Sequence, residues 1–234
     1  MTRTAPASPV VPGRLNPIPV RLGRQAGRPA AVLVGLMAGE TGWQVIMTER
    51  AAHLAHHAGQ ISFPGGKVDE SDATLVATAL READEEIALP AGEVEILGGL
   101  DPVTSPVGFV VQPVVGIIAP RTRLLASPDE VSRILILPLA DLVSPPRHRR
   151  ESYVRDGQHR EVWVIDHPEH YIWGLSAAIL VDLARRVEPG LIEPGSIEPG
   201  SIEAGNGNGP GKSSRSKMAQ TRVAQTRALG QKEN

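Results

Sequence analysis

The feature that most constrains this chain is a stripe of three carboxylates within residues 81–86, which read READEE. The surrounding residues are good helix formers, and the sequence predicts a helix that begins near Asp72. Glu82, Glu85 and Glu86 stand at positions i, i+3 and i+4, so they share one helix face. Like charges at this spacing weaken a helix by a few tenths of a kcal/mol. A hard divalent cation such as Mg²⁺ or Mn²⁺, which prefers oxygen ligands, would give the three side chains a common role.

A glycine-rich turn precedes this helix. It favours a metal site over the simpler interpretation of the stripe as a solvated acidic face. In an arbitrary helix, an acidic stripe is more often a solvated face than a ligand set. Here the segment Phe63-Pro64-Gly65-Gly66 leads into the helix, and two glycines allow a sharp turn and a close approach to a ligand. The combination favours a site at which backbone carbonyls and carboxylates converge on one ion.

The whole segment resembles the Nudix box, G-x5-E-x7-R-E-U-x-E-E-x-G-U, in which U is an aliphatic residue. Gly66 corresponds to the first glycine, and the helical half of the box matches Arg81, Glu82, Ala83, Glu85, Glu86 and Leu89. Two positions depart from the pattern. Ala88 stands where the box has a glycine, and the interval from Gly66 to Arg81 is one residue longer. Neither Glu70 nor Asp72 therefore falls cleanly at the middle glutamate of the box.

The preceding stretch narrows the resemblance to one subfamily. Residues 46–66 read IMTERAAHLAHHAGQISFPGG and are similar to the signature of coenzyme A pyrophosphatases, L-L-T-x-R-S-x-x-L-R-x-H-x-G-Q-x-x-F-P-G-G. The matching positions are Thr48, Arg50, Leu54, His57, Gly59, Gln60, Phe63, Pro64, Gly65 and Gly66. Ala51 replaces the serine of the signature, and Ala55 replaces its arginine, which is a residue type suited to binding phosphate. The subfamily also carries the one-residue expansion of the box, and the resemblance covers residues 30–187.

The resemblance implies an α/β fold, the Nudix α/β/α sandwich with a mixed β-sheet. It implies that Glu82, Glu85 and Glu86, with the Gly65 carbonyl, hold Mg²⁺ or Mn²⁺, while Arg81 orients the glutamates. The expected reaction is hydrolysis of the diphosphate of coenzyme A or acyl-coenzyme A. Its products would be adenosine 3′,5′-bisphosphate and (acyl-)4′-phosphopantetheine.

Four residues outside the box are further candidates for the site. Arg50, at a strand end, is a candidate for substrate binding, as are His57 and Gln60 of the upstream signature. Members of the superfamily often take another metal ligand or a base from a later loop, and Glu130 is the candidate here. Histidine ligation of the metal by the segment 53–57 is disfavoured, because carboxylates already define the ion site.

Two other functions remain open on the sequence. A Nudix hydrolase of another nucleoside diphosphate, such as ADP-ribose or NADH, is favoured if Ala51 and Ala55 have disabled the coenzyme A site. A Nudix-like ligand sensor that binds without hydrolysis is a different class of protein. Such sensors usually lose box glutamates or add a DNA-binding domain, whereas the box glutamates are intact here.

Composition bounds the remaining possibilities. The 234 residues contain no cysteine, which excludes disulfides and thiolate metal sites, and the net charge of −2 indicates neither a nucleic-acid nor a membrane partner. No apolar run approaches the ~20 residues of a membrane span, and no secretory signal is evident, so we expect a cytoplasmic monomer or homodimer. The expected organisation is a flexible basic leader at 1–29, the catalytic domain at 30–187, and a disordered tail at 188–234 with EPGSI-like repeats.

Hydrophobic patterns predict the elements of the domain. An apolar strand at 30–37 pairs with a second at 44–50, and RILILPLADLV at 133–143 is a strand running into a short helix. Residues 104–112 are expected to form a loop, and the basic residues 147–150 another. The segment from Tyr171 to Val187 has the apolar spacing of a helix.

Overall fold

The computed structural model describes residues 8–11, 13–22, 27–53, 59–155 and 157–187. The first hairpin forms as expected, because strand β1 (Arg28–Ala38) and strand β2 (Trp43–Arg50) are antiparallel and meet across a short turn. The run of small and branched apolar residues in β1 is buried on both faces, which is typical of a central strand.

The other elements follow along the chain. The strands are β3 (Ile61–Ser62), β4 (Gly65–Lys67), β5 (Val94–Gly99), β6 (Val103–Thr104), β7 (Phe109–Ile118), β8 (Val131–Pro138), β9 (His148–Arg155), β10 (Gln158–Asp166) and β11 (Tyr171–Trp173). The α-helices are α1 (Leu75–Ile87), α2 (Leu139–Val143) and α3 (Leu175–Ala184), and short 3-10 helices lie at Ala91–Glu93 and Pro145–Arg147.

The main sheet is mixed. Its strand order is β3-β2-β1-β7-β5, with β4 also paired to β1, β6 to β7 and β8 to β2. Strands β1 and β7 run parallel through a ten-residue register, while the other pairs are antiparallel. A second, three-stranded sheet has the order β11-β10-β9.

Two apolar clusters cover the two faces of the main sheet. One joins β1 side chains such as Leu33 to helix α1, and the other joins β1 side chains such as Leu36 to helices α2 and α3. Helices therefore lie on both sides of a mixed sheet, and the α/β/α sandwich expected from the sequence is confirmed.

The chain divides into two units. Among the described residues, unit 1 contains those up to Arg150 and those from 163 to 187, and it includes the main sheet and helices α1, α2 and α3. Unit 2 contains the described part of Glu151–Val162, which supplies parts of β9 and β10. The repeat tail predicted for 188–234 lies outside the described residues.

Three local predictions were wrong. Residues 148–150 belong to strand β9 rather than to a loop, and Phe109 already begins strand β7, which leaves only a short turn at 105–108. Tyr171–Trp173 forms strand β11 instead of opening the last helix, because Gly174 adopts φ 68° and separates the strand from α3. The apolar side chains of β11 supplied the helix-like period.

Part of the predicted flexible leader packs on unit 1. Val10 is buried and forms an antiparallel bridge with Val187, and the Val11 N–H donates to the Arg186 carbonyl at 3.0 Å. Further on, Asn16 forms a second bridge with Gly99. These contacts hold Val10, Val11 and Asn16 against the fold, in a stretch whose prolines and arginines did not indicate it.

In the described part of the chain, the helices are all too short or too polar to cross a lipid bilayer.

Candidate active site

Helix α1 is the element that positions the carboxylate stripe. It begins at Leu75, slightly later than expected, because the Thr74 hydroxyl caps it by accepting from the Ala77 N–H at 3.0 Å. An apolar row of Leu75, Ala79, Ala83 and Ile87 is buried against the sheet. This row fixes the rotation of the helix. Glu82 and Glu86, each one position before a member of the row, lie against the core, whereas Glu85 lies two positions away and is exposed.

Arg81 is the centre of an ion-pair network beside the stripe. Its Nη1 donates to the exposed Glu85 at 2.9 Å, and its Nη2 donates to Glu82 Oε1 at 3.0 Å and to the Lys67 carbonyl at 3.1 Å. Its Nε and Nη2 each donate to one carboxylate oxygen of Asp72 at 3.0 Å. A bidentate pair of this kind fixes the guanidinium plane.

Of the two candidates for the middle acid of the box, Glu70 and Asp72, it is Asp72 that contacts Arg81. It is buried, and besides Arg81 it accepts from the Thr78 hydroxyl at 2.9 Å and from the Asp69 N–H at 2.8 Å. The Arg81 hydrogen bonds, opposed by burial, lower the pKa of Asp72 to about 2. Five residues separate Gly66 from Asp72, as in the box, so the extra residue lies between Asp72 and Arg81. That spacing was the available signal.

Glu82 lies directly against the glycine turn. A Cβ atom built on Gly66 would stand 2.6 Å from Glu82 Oε2, so the carboxylate occupies the space that a side chain would need. Gly65 has φ 155°, and a Cβ there would overlap the Ala31 carbonyl. Burial raises the pKa of Glu82, against the opposing charge of Arg81. Both glycines are therefore required by close approach, one to strand β1 and one to the stripe.

Glu86 is the buried end of the stripe. Its side chain is 4% exposed, and its Oε2 atom has no hydrogen-bond partner among the residues that the structure describes. Burial raises the pKa of Glu86 to about 7; the Arg50 guanidinium, at 3.8 Å, opposes this increase, and the charges of Glu130 and Glu82 add to it. Buried polar atoms without a partner are rare in folded proteins. A bound cation would explain this one.

A β-bulge brings two of the other candidates to the stripe. The register between β2 and β8 shifts between Glu49 and Arg50, where Ser132 is the extra residue. Bulges often re-aim side chains beside active sites. Beyond the bulge, the Ala51 N–H donates to the Glu130 carbonyl at 2.9 Å. Arg50 and the exposed Glu130 thus arrive together from β2 and from the start of β8, and both act electrostatically on the buried end of the stripe.

The substrate-binding candidates upstream are placed in part. The Arg50 N–H donates to the Gln60 carbonyl at 2.9 Å, and the Gly59 N–H donates to the Arg50 carbonyl at 3.1 Å. Gln60 is therefore held next to Arg50 at the base of the loop that the two residues close. His57 lies outside the described residues.

The donor set matches a hard cation, although its members are not gathered around one point. In the described ranges, no three histidine or acidic side chains form a group that would hold a metal ion as they stand. Arg81 draws the Glu82 and Glu85 carboxylates to itself, while Glu86 keeps a free oxygen. Three carboxylates and the nearby Gly65 carbonyl are all oxygen ligands, as Mg²⁺ and Mn²⁺ prefer.

Comparison with known proteins gives the class to which this site belongs. The family model for the NUDIX domain matches residues 27–167, more than half of the chain. The chain belongs to the Nudix family. It is a hydrolase of the diphosphate linkage in nucleoside diphosphate derivatives, and enzymes of this family generally use divalent cations.

The curated relatives carry the same family name without a substrate. Proteins called "Uncharacterized Nudix hydrolase NudL" from Salmonella paratyphi B and Salmonella newport are each 46% identical over 143 residues, which is 61% of this chain and 74% of the relative.

Solved structures with a similar fold are more distant in sequence. The Nudix hydrolase RenU from M. smegmatis is 23% identical, with a TM-score of 0.41 over 47% of this chain and 70% of its own. The Nudix domain of Shewanella oneidensis NrtR, solved with ADP-ribose, is 23% identical with a TM-score of 0.42, over 50% of this chain and 77% of its own.

Proposed function

We propose that this Nudix hydrolase cleaves the diphosphate of coenzyme A or of an acyl-coenzyme A, giving adenosine 3′,5′-bisphosphate and (acyl-)4′-phosphopantetheine. The observation that carries the proposal is the coenzyme A pyrophosphatase signature at 46–66 together with the position of its arginine. Arg50, a matching residue of that signature, lies 3.8 Å from Glu86 of the box helix. The signature therefore borders the proposed metal site.

Ala51, which stands where the signature has a serine, is compatible with retained hydrolysis of coenzyme A. Ala51 is buried, with 3% of its surface exposed. Its N–H donates a hydrogen bond to the Glu130 carbonyl. Alanine at this position removes a hydroxyl from the protein interior and leaves the exposed surface beside Arg50 unchanged. Ala55, the other departure, lies outside the described residues.

The proposed mechanism assigns one task to each group of residues. Glu82, Glu85 and Glu86, with the Gly65 carbonyl, would hold Mg²⁺ or Mn²⁺. The cation, when bound, neutralises charge on the diphosphate and makes a bound water more acidic. Arg81 remains tied to the buried Asp72 and limits the positions that the Glu82 and Glu85 carboxylates adopt.

The electrostatics of the buried end are suited to proton transfer and to cation binding. Because burial holds the pKa of Glu86 near 7, this carboxyl exchanges a proton near neutral pH. Arg50 is 29% exposed at its side chain, so it can reach solvent on one side while it faces Glu86 on the other. An arginine in this position is suited to binding a substrate phosphate.

A second candidate is the hydrolysis of ADP-ribose or NADH. The observation that favours it is the loss of the signature arginine at Ala55, since a cation at that position is suited to a phosphate of coenzyme A. This candidate uses the same metal site and differs only in the substrate.

Product analysis distinguishes the two candidates. Coenzyme A, ADP-ribose and NADH would each be incubated with the wild-type enzyme and Mg²⁺ or Mn²⁺, and the products separated by chromatography. We expect adenosine 3′,5′-bisphosphate from coenzyme A. We expect none from the Glu86→Gln variant, and an undiminished yield from the control Glu95→Gln, which removes an exposed acid on β5. Turnover of ADP-ribose or NADH alone would refute the coenzyme A assignment.

A further inference from the structure

Two cationic side chains lie close to one aromatic ring, that of Phe109. The Arg28 guanidinium lies 4.0 Å from the centre of the Phe109 ring, and the Lys67 Nζ lies 5.8 Å from the same centre. Both distances are within the ~6 Å range of cation–π attraction. Parallel pairing sets Arg28 opposite Phe109, and antiparallel pairing sets Lys67 opposite Ala30 on the other side of β1. Three strands thus bring this cluster together.

The turn that precedes Phe109 is tightly bonded. The Ser105 N–H donates to the Phe109 carbonyl at 2.8 Å, and the Phe109 N–H donates to the Ser105 hydroxyl at 2.9 Å. Arg28 Nη2 donates to the Val107 carbonyl at 2.5 Å. The ring and one of its cations are therefore held in position without a ligand, which reduces the entropy lost on binding one.

The two cations of the cluster lack acidic partners. Throughout the described ranges, the ion pairs involve other cations, and neither Arg28 nor Lys67 pairs with a carboxylate. Some other arginines at the surface are neutralised, as Arg133 is by Glu49 and Arg147 by Asp141. Two positive charges at one ring without a counter-charge leave a site suited to an anion.

The cluster adjoins the proposed metal site through strand β4. Lys67 directly follows Gly66, against which Glu82 lies, and the Lys67 carbonyl accepts from Arg81 at 3.1 Å. Successive side chains of a strand point to opposite faces, so the Lys67 side chain and the stripe lie on opposite sides of β4. Among the described strands, β4 pairs with β1 alone, so no strand covers its other edge. One substrate can therefore contact the stripe and the cluster around this strand.

We propose that Arg28 and Lys67, supported by Phe109, bind a phosphate monoester of the substrate that is separate from the scissile diphosphate. The inference rests on the proposed function, in which this group is the 3′-phosphate of coenzyme A. Phe109 is a positioning residue that holds the two cations together, while Arg28 and Lys67 contact the phosphate. The cluster then selects 3′-phosphorylated substrates over those that lack this group.

Two ligand pairs that differ only in the 3′-phosphate test the subsite. The first experiment measures binding of adenosine 3′,5′-bisphosphate and of adenosine 5′-monophosphate by calorimetry, for the wild type, Arg28→Gln, Lys67→Gln and Phe109→Leu. We expect each charge removal to weaken the bisphosphate by about tenfold and the monophosphate by less than about twofold. Arg123→Gln, which removes an exposed arginine that lines a groove with Pro90 and Glu93, is the matched control and should change neither ligand.

The second experiment compares kcat/KM for coenzyme A and for 3′-dephospho-coenzyme A. The wild-type preference for the 3′-phosphorylated substrate should fall by about tenfold in Arg28→Gln and Lys67→Gln, with little change for the dephosphorylated one. Thermal unfolding confirms that each variant is folded, and Lys67→Arg should restore the preference because it retains the charge.

The outcomes separate the subsite from the proposed function. An equal loss for both members of each ligand pair, or no loss for either, would overturn the subsite. If the wild type does not hydrolyse coenzyme A but still binds the bisphosphate more tightly through Arg28 and Lys67, the proposed substrate is wrong and the phosphate subsite stands.

Discussion

Replacing Glu86 by glutamine should stabilise the protein in the absence of metal. It should also abolish the metal-dependent turnover of substrate. The side chain is 4% exposed, and burial raises its pKa from 4.5 to about 7. At ~1.4 kcal/mol per pH unit, the ionised carboxylate destabilises the fold by about 3 kcal/mol above pH 7. Glutamine keeps the shape and removes the charge. Because Arg50 then loses its partner, we expect a net gain of about 2 kcal/mol, which raises the melting temperature by ~4–8 °C.

The stability difference between the wild type and Glu86→Gln should depend on pH in a defined direction. A carboxyl whose pKa is raised on folding binds more protons in the native state than in the unfolded state between pH 4.5 and about 7. The wild type therefore loses stability as the pH rises through this window, relative to Glu86→Gln. Thermal unfolding with a chelator present should show the largest difference at pH 8 and almost none below pH 4.5.

Glu85→Gln is the matched control for this measurement. It removes a carboxylate of the same stripe that is 55% exposed and paired with Arg81 at the surface, so its melting temperature should differ from wild type by little. Both variants should lose metal-dependent turnover. The reasoning is refuted if Glu86→Gln melts at or below the wild-type temperature at pH 8, because the buried charge would then carry no cost.

Asp72→Asn should destabilise the protein by about 2–3 kcal/mol, since it leaves Arg81 without its bidentate partner. Because the pKa of Asp72 is lowered to about 2, the wild type loses this stabilisation as the pH falls from about 4 to 2, and acid titration of the variant should show a weaker dependence there. Gly66→Ala should reduce kcat/KM at least ~100-fold by displacing the Glu82 carboxylate, whereas Gly92→Ala, where the added Cβ meets no atom within 4 Å, should leave it unchanged; equal activity of the two would contradict the close approach. Removal of divalent cations with a chelator should abolish turnover, and Mg²⁺ or Mn²⁺ should restore it and raise the melting temperature; activity that survives exhaustive chelation would exclude the proposed site.

Local patterns predicted the elements that carry the chemistry. The apolar run of β1 and the helical spacing of the box are short-range signals; both elements form, although helix α1 begins three residues later than expected. Ala88, noted in the sequence as a departure from glycine, does end helix α1 in the left-handed conformation with φ 50° and ψ 42°. An alanine in this conformation costs about 1 kcal/mol relative to glycine. The hydrogen bond that the Ala88 N–H donates to the Asp84 carbonyl at 2.9 Å offsets this cost.

Long-range contacts account for what the sequence did not predict. The role of Asp72 depends on the path of the loop between β4 and α1, which carries the carboxylate back to an arginine nine positions later. The charges that act on the buried Glu86 include Arg50 at the end of β2 and Glu130 just before β8, and its raised pKa could not be predicted from the box. Strand β11 forms because β10 offers it a partner, a pairing that no local pattern of Tyr171–Trp173 reveals.

The bridge between Val10 and Val187 makes the catalytic domain nearly circular. Because residues 10 and 187 are paired backbone to backbone, a few linker residues would join them, and new chain ends could be opened in the exposed turn between β1 and β2. Such a circular permutant keeps every contact of the carboxylate stripe while it reverses the order of the first strand and the last helix along the chain. The same closure means that a fusion partner at either position would emerge from one place on the domain surface.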